Sequence, residues 1–168
     1  MPLNTFLQSV FLAPPHRTAG TAVFLTSNRD TTPNALLHSL KHYKVLHEQN
    51  LFLTVEFGDQ PRVSSGERVS CEALGHDCWR VLVQYGFVDR PDIPLALEMC
   101  GPFGIQIDPM DVSYFLSREK IVPTDKTTGI ALLRDRTFAA MARNAGSITD
   151  FFNIPTGRVV ELGTRIEV

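Results

Sequence analysis

Two histidines, His38 and His42, stand four residues apart in a stretch with helical patterning, so they share one face. Paired imidazoles at that spacing can hold a metal ion, and His47 and Glu48 follow closely. A zincin-type helix would carry glutamate directly after His38, where Ser39 stands instead. Both histidines also fall off the stripe made by Leu36 and Leu40, on a side expected to face water. They are candidates for a metal site, weighed against plain surface or capping histidines and a contact role in a partner interface.

The three cysteines, Cys71, Cys78 and Cys100, fit no zinc or haem spacing. His76 lies between the first two, so a Cys–His nucleophile is a candidate. All three of those residues surround a predicted turn, a poor place for a dry, preorganised site. A Cys71–Cys78 cross-strand disulfide is geometrically open but not required. Reduced and mostly buried thiols are the expectation. No G-x-S-x-G elbow is present, and Ser64-Ser65-Gly66 reads as a turn.

Ser27, Asn28 and Arg29 lead from an apolar strand into a helix N-terminus. Open α/β sheets bind anions at such places. Neither glycine-rich phosphate fingerprint accompanies them. The three residues are candidates for a nucleotide or phosphate site, against a loop that caps its own helix. Arg143 and Asp150 are a candidate ion pair across a helical break.

The elements that must position these groups follow from periodicity. Phe6, Val10, Phe11 and Leu12 suggest a short helix ended by Pro14-Pro15. Thr21–Thr26 is apolar on both faces, as a covered central strand would be. Thr32 at N-cap and Pro33 at N1 predict a helix through Leu36, Leu37 and Leu40 to about Tyr43. Leu51–Phe57 alternates as a strand. Strand, helix and strand in this order predict a parallel βαβ unit. Arg68–Leu74 and Cys78–Phe87 flank Gly75-His76-Asp77 as a β-hairpin.

Asp92-Ile93-Pro94 opens a second helix, with Leu95, Leu97 and Met99, that Gly101-Pro102 stops. Gly104–Asp108 and Val112–Val122 read as strands. A last long helix carries Leu133, Phe138, Met141 and Ala145, with Gly146 at its C′ position. Ser147–Asp150 then resembles a capping box that starts a short turn through Phe152. Arg158–Val168 is a final strand. The sum is an α/β fold with a mixed sheet of about six or seven strands and about three helices.

Composition bounds the function classes. The net charge of -2 comes without a long basic run, so nothing points to nucleic acid. No stretch reaches about 18 consecutive apolar residues, the least that spans a bilayer as a helix. The N-terminus lacks the basic and apolar regions of a signal peptide. Read alone, the chain is expected to be cytoplasmic. No cofactor is implied, and no enzyme activity is expected.

Several ordered blocks carry a family resemblance. They are Pro15-His16-Arg17 with Gly20-Thr21-Ala22-Val23-Phe24-Leu25-Thr26-Ser27; Ala35-Leu36-Leu37-His38 through Lys44-Val45-Leu46-His47-Glu48; Asp108-Pro109-Met110-Asp111 with Ser113-Tyr114-Phe115-Leu116; Met141-Ala142-Arg143-Asn144; Asp150-Phe151-Phe152; and Arg158-Val159-Val160-Glu161-Leu162-Gly163. In this order they resemble the C-terminal region of the Kup/HAK/KT potassium transporters. Thr18-Ala19-Gly20 stands where that family more often reads Val-Pro-Gly, and Cys78-Trp79 replaces another aromatic pair.

The resemblance implies a large, many-helix membrane protein that takes up potassium with protons. This region would follow the last membrane helix on the cytoplasmic side. Residues 1–19 would be the lead-in from the membrane portion, and residues 20–168 one cytoplasmic domain. Met1 would then be either an artificial start or an unusually late gene start. The family's ion-binding residues lie in the membrane helices, so none is carried over here. The implied partners are the membrane-spanning portion of the same protein and a second copy in a homodimer. The implied role is regulatory or dimerising. A nucleotide such as cyclic di-AMP, bound near Ser27–Asp30, is the alternative, and an independent Cys/His enzyme is a third.

Overall fold

The computed structural model describes residues 1–119 and 145–164. Its elements are helix α1 (Leu3–Leu12), strand β1 (His16–Leu25), helix α2 (Asn34–His42) and strand β2 (Val45–Phe57). Strands β3 (Val69–Gly75) and β4 (Cys78–Tyr85), helix α3 (Ile93–Glu98) and strand β5 (Val112–Glu119) follow. Helix α4 (Ala145–Phe151) and strand β6 (Val159–Thr164) complete the described chain. One sheet holds six strands in the order β3-β4-β2-β1-β5-β6. Every neighbouring pair is parallel except β3 and β4.

The mixed α/β sheet is the architecture expected, and the βαβ unit and the hairpin are both present. The chain winds outward from β1 in both directions. It runs first to β2 and β4 on one side, then crosses to β5 and β6 on the other.

Strand alternation distributes side chains to two cores. Ala22, Phe24, Phe52, Cys78 and Phe115 face α1 and α2, meeting Leu3, Leu7, Ala35 and Leu36. Val23, Leu51, Leu53, Val81, Val83 and Tyr114 face α3 and the α4 end, meeting Ile93, Leu97, Phe152 and Ile154. Thus β1 over Thr21–Phe24 and β2 over Asn50–Thr54 are buried on both sides; β1 reads as such a covered strand, whereas the alternation read in Leu51–Phe57 gives way to burial of Phe52 and Thr54 as well. On the α1/α2 face a row of rings crosses three strands. Phe24 lies 5.7 Å from Phe52 and 4.9 Å from Phe115.

Several expectations change. β1 begins at His16 and β2 at Val45, because the two pair in parallel over His16↔Val45 to Thr18↔His47 as well as higher up. Polar residues there hid the ladder from a hydrophobicity count. Thr32 does not cap α2. Its N–H and Oγ1 both donate to the Met1 carbonyl at 3.0 Å, so Pro33 holds the N-cap position without a side-chain bond. Leu37 turns outward, and Ser39 takes the buried place beside Leu36.

Gly104–Asp108 forms no strand. Gly104, at φ 91, closes a 3-10 turn over Gly101–Phe103, and Ile105 is buried as a plug between elements. β4 ends at Tyr85, and Phe87 is exposed, because the chain folds back at Gly86. Gly146 lies within α4 rather than beyond a helix, and α4 covers the expected capping box at Ser147. Burial of Thr149 and Phe152 anchors its end. The strand end at Val122, the helix face of Leu133, Phe138 and Met141, and residues 165–168 lie outside the described residues.

Candidate functional site

In a sheet wound both ways from a central strand, the crevice opens at the carboxyl ends where the winding reverses. Here that place lies between β1 and β5. Ser27, Asn28 and Arg29 leave the carboxyl end of β1, so the topology sets them beside it.

Their geometry is that of a loop holding itself. Thr26 Oγ1 donates to the Asn28 carbonyl at 3.0 Å and accepts the Asn28 N–H at 3.3 Å. Asn28 Oδ1 accepts the Asp30 N–H at 2.9 Å. Arg29 is exposed, and its side chain lies 4.0 Å from the Asp30 carboxylate. Arg80 of β4 donates Nε–H to the Arg29 carbonyl at 3.0 Å, an Nη2 hydrogen to Asn4 Oδ1 at 3.1 Å, and pairs with Glu72. One guanidinium thus pins the loop, α1 and edge strand β3 together. Ser27, Asn28 and Arg29 are all exposed.

His38 and His42 do share a face, with rings stacked at 5.9 Å. No third His, Cys, Asp or Glu joins them in a metal-sized group among the described residues. The pair is therefore two ligands of the four that a structural zinc site takes.

The hairpin residues do not converge. Cys78 points into the α1/α2 core and Cys71 packs on the α3 core, on opposite sides of the sheet. That orientation removes the cross-strand disulfide, and all three cysteines are free. Burial pushes the Cys78 thiol up to about 11, partly offset by Arg17. His76 turns away to stack on Phe11 at 4.0 Å. His76 and Asp77 take φ 55 and 57, the two left-handed residues of a tight hairpin turn.

Two arginines organise the molecule more than any candidate did. Arg17 donates to the carbonyls of His47 at 2.8 Å, Glu48 at 3.1 Å and His76 at 2.8 Å, with its guanidinium 5.0 Å over Phe11. Arg68 pairs with Asp89 at 3.1 Å and lies 5.0 Å over the Tyr85 ring. A lone arginine in a sequence carries no sign of such a partner set, since the partners come from distant segments. An open groove of ≈ 430 Å³ lies beside α3, lined by Asp92, Leu95, Glu98 and Asn153 among others. Its Asp92 carboxylate is already engaged, accepting from Leu95 N–H and Asn153 Nδ2, both at 2.9 Å.

Among the described residues these candidate groups stand apart from one another, while the two arginine clasps tie the sheet's segments together. The family model described as "K+ potassium transporter C-terminal domain" matches residues 19–168. The chain belongs to that family. Three relatives of this potassium transporter C-terminal domain carry the name "Probable potassium transport system protein Kup" or "Kup 2". The protein from Methylibium petroleiphilum is 51% identical over 99% of this chain and 26% of its own length. That from Nitrosospira multiformis is 48% identical over 100% of this chain and 26% of its own. That from Cupriavidus necator is 50% identical over 100% of this chain and 27% of its own. The chain thus spans about a quarter of the length of the curated relatives it matches. No solved structure matches it. No described helix of the potassium transporter C-terminal domain is long and apolar enough to cross a membrane.

Proposed function

We propose that this chain is the cytoplasmic, non-catalytic module of a proton-coupled potassium uptake protein, and that it associates with a second copy and regulates the membrane portion. The single observation that carries the reading is the family match over residues 19–168. Transport belongs to the longer protein, and the module alone moves no potassium. The divergence of Cys71, Cys78 and His76 supports a role other than Cys/His catalysis.

Exposed apolar side chains at the carboxyl end of the sheet support association. Phe57 and Phe151 stand 6.0 Å apart and are both exposed, as is Phe87 beyond β4. Size-exclusion chromatography with light scattering tests this part. A dimer at high micromolar concentration is expected, and a strict monomer there removes the association role. An upstream reading frame encoding apolar helices, and potassium uptake by its full product in an uptake-deficient strain, test the parent activity.

A second reading rests on the reversal of winding between β1 and β5, which puts Ser27–Arg29 where open sheets bind anionic ligands. In it the module senses a nucleotide such as cyclic di-AMP. Titration calorimetry with a nucleotide panel decides it, and no heat at millimolar ligand removes it.

A further inference from the structure

The end of helix α2 gathers positive charge at one corner of the molecule. Between Asp30 and Glu48 the chain has no acidic residue, although its net charge is -2. Lys41 and Lys44 are both exposed, and neither meets a carboxylate among the described residues. His38 and His42 stack on one face of the same helix. β1 adds exposed His16, which pairs in the ladder with Val45, the residue after Lys44. Leu37 and Tyr43 stand exposed among these groups, Tyr43 at 62%. We propose that this convex corner is a docking surface for an anionic lipid bilayer.

A helix macrodipole favours cations in the last turn, and Lys41 and His42 meet that demand. Lys44 goes beyond it. It stands past the helix at φ 58, where its N–H closes the end on the Ser39 carbonyl at 3.2 Å. Glycine takes that conformation at C′ without strain. Lysine there adds a second exposed ammonium at a backbone cost that helix termination does not require. Nor does the dipole account for an exposed tyrosine and leucine beside the charges.

Ammonium groups and apolar side chains mixed on a convex helix face match a flat anionic surface. The lysine nitrogens pair with lipid phosphates, and the Tyr43 ring enters the headgroup layer, where aromatic residues collect. Each lysine near an anionic leaflet raises partitioning about fivefold, and the effect fades within a Debye length. Lys44 precedes β2, whereas Arg62 and Arg90 follow β2 and its parallel neighbour β4. Those two arginines therefore sit at the opposite end of the sheet, away from the corner. The choice of a bilayer over an acidic protein rests on the proposed membership of a membrane transporter.

The experiment floats the 168-residue chain with vesicles of phosphatidylcholine alone, and of phosphatidylcholine and phosphatidylglycerol in equal parts. Flotation is expected with the second and not the first, and added potassium chloride should reverse it. Lys41→Gln with Lys44→Gln should weaken partitioning about thirtyfold. Arg62→Gln with Arg90→Gln removes equal charge at the far end and should change it by less than about twofold. All four side chains are exposed, so neither double variant threatens the fold. Three results overturn the proposal: flotation with both vesicles alike or with neither, the latter leaving the corner to an acidic protein; equal loss in the two double variants; or competition by soluble glycerol phosphate, which marks a discrete anion site. Potassium uptake by the full-length protein tests the transporter membership by itself, so the two failures are separable.

Discussion

Arg68 and Asp89 meet 3.1 Å apart with both side chains largely shielded from water. Asp89 Oδ2 also accepts the Gly86 N–H at 2.7 Å and the Val63 N–H at 2.9 Å. Arg68 donates to the Val63 carbonyl at 2.8 Å and covers the Tyr85 ring. This buckle binds the segment between β2 and β3 to the turn after β4. The two backbone hydrogen bonds come first, and Arg68 adds to them, in holding the Asp89 carboxyl below its ordinary range.

A carboxylate with a lowered folded value contributes stability that is present above its unfolded value and lost as pH falls through the folded one. The Asp89 contribution is therefore complete above about pH 4 and disappears in more acid solution. Asp89→Asn should lower the urea midpoint at pH 7 and flatten its decline below pH 4. An unchanged acid limb removes this assignment.

His47 titrates in the opposite sense to a paired histidine. Burial lowers its value, with Asp111 opposing, and its ring sits edge-on to Phe115 at 5.8 Å. The folded state favours the neutral ring, so its contribution is complete above about pH 6.5 and declines as pH falls toward the folded value. Proton NMR should place the His47 midpoint below the usual histidine range. His47→Gln should reduce the loss of stability between pH 6.5 and 5.

Gly20 has φ 101, and a Cβ there would lie 2.8 Å from Asp111 Oδ1 and 3.0 Å from the Asp111 carbonyl oxygen. That carbonyl accepts the Thr21 N–H at 3.0 Å, where the β1–β2 register shifts. Gly20→Ala combines a left-handed strain with a clash and should cost about 2–4 kcal/mol by chemical denaturation. Gly157→Ala meets open space at an ordinary φ and should change stability by less than about 0.5 kcal/mol.

Phe24 is the centre of the ring row and is almost wholly buried. Phe24→Ala should cost about 3–5 kcal/mol, while Phe24→Leu should cost much less. Equal losses for both would place the role in ring geometry rather than buried volume.

Residue pattern alone determined the α/β class, the parallel βαβ start, the hairpin about Gly75-His76-Asp77, and the helix opened by Asp92-Ile93-Pro94. Each is a local signal: alternation, a turn pair, or a capping side chain that meets its own backbone. The ordered blocks determined the family by the same local means.

Only the tertiary structure decided what the polar side chains do. Thr32 meets Met1, Arg17 meets His76, and Arg80 meets Asn4 and Arg29, all through contacts between segments far apart in the chain. Cys71 packs on the α3 core and nearby Cys78 in the α1/α2 core, because strand alternation sends the two to opposite faces of the sheet. Spacing along a strand says that faces alternate. Which helix waits on each face depends on the order of strands, and that order follows from how the whole chain closes its two cores.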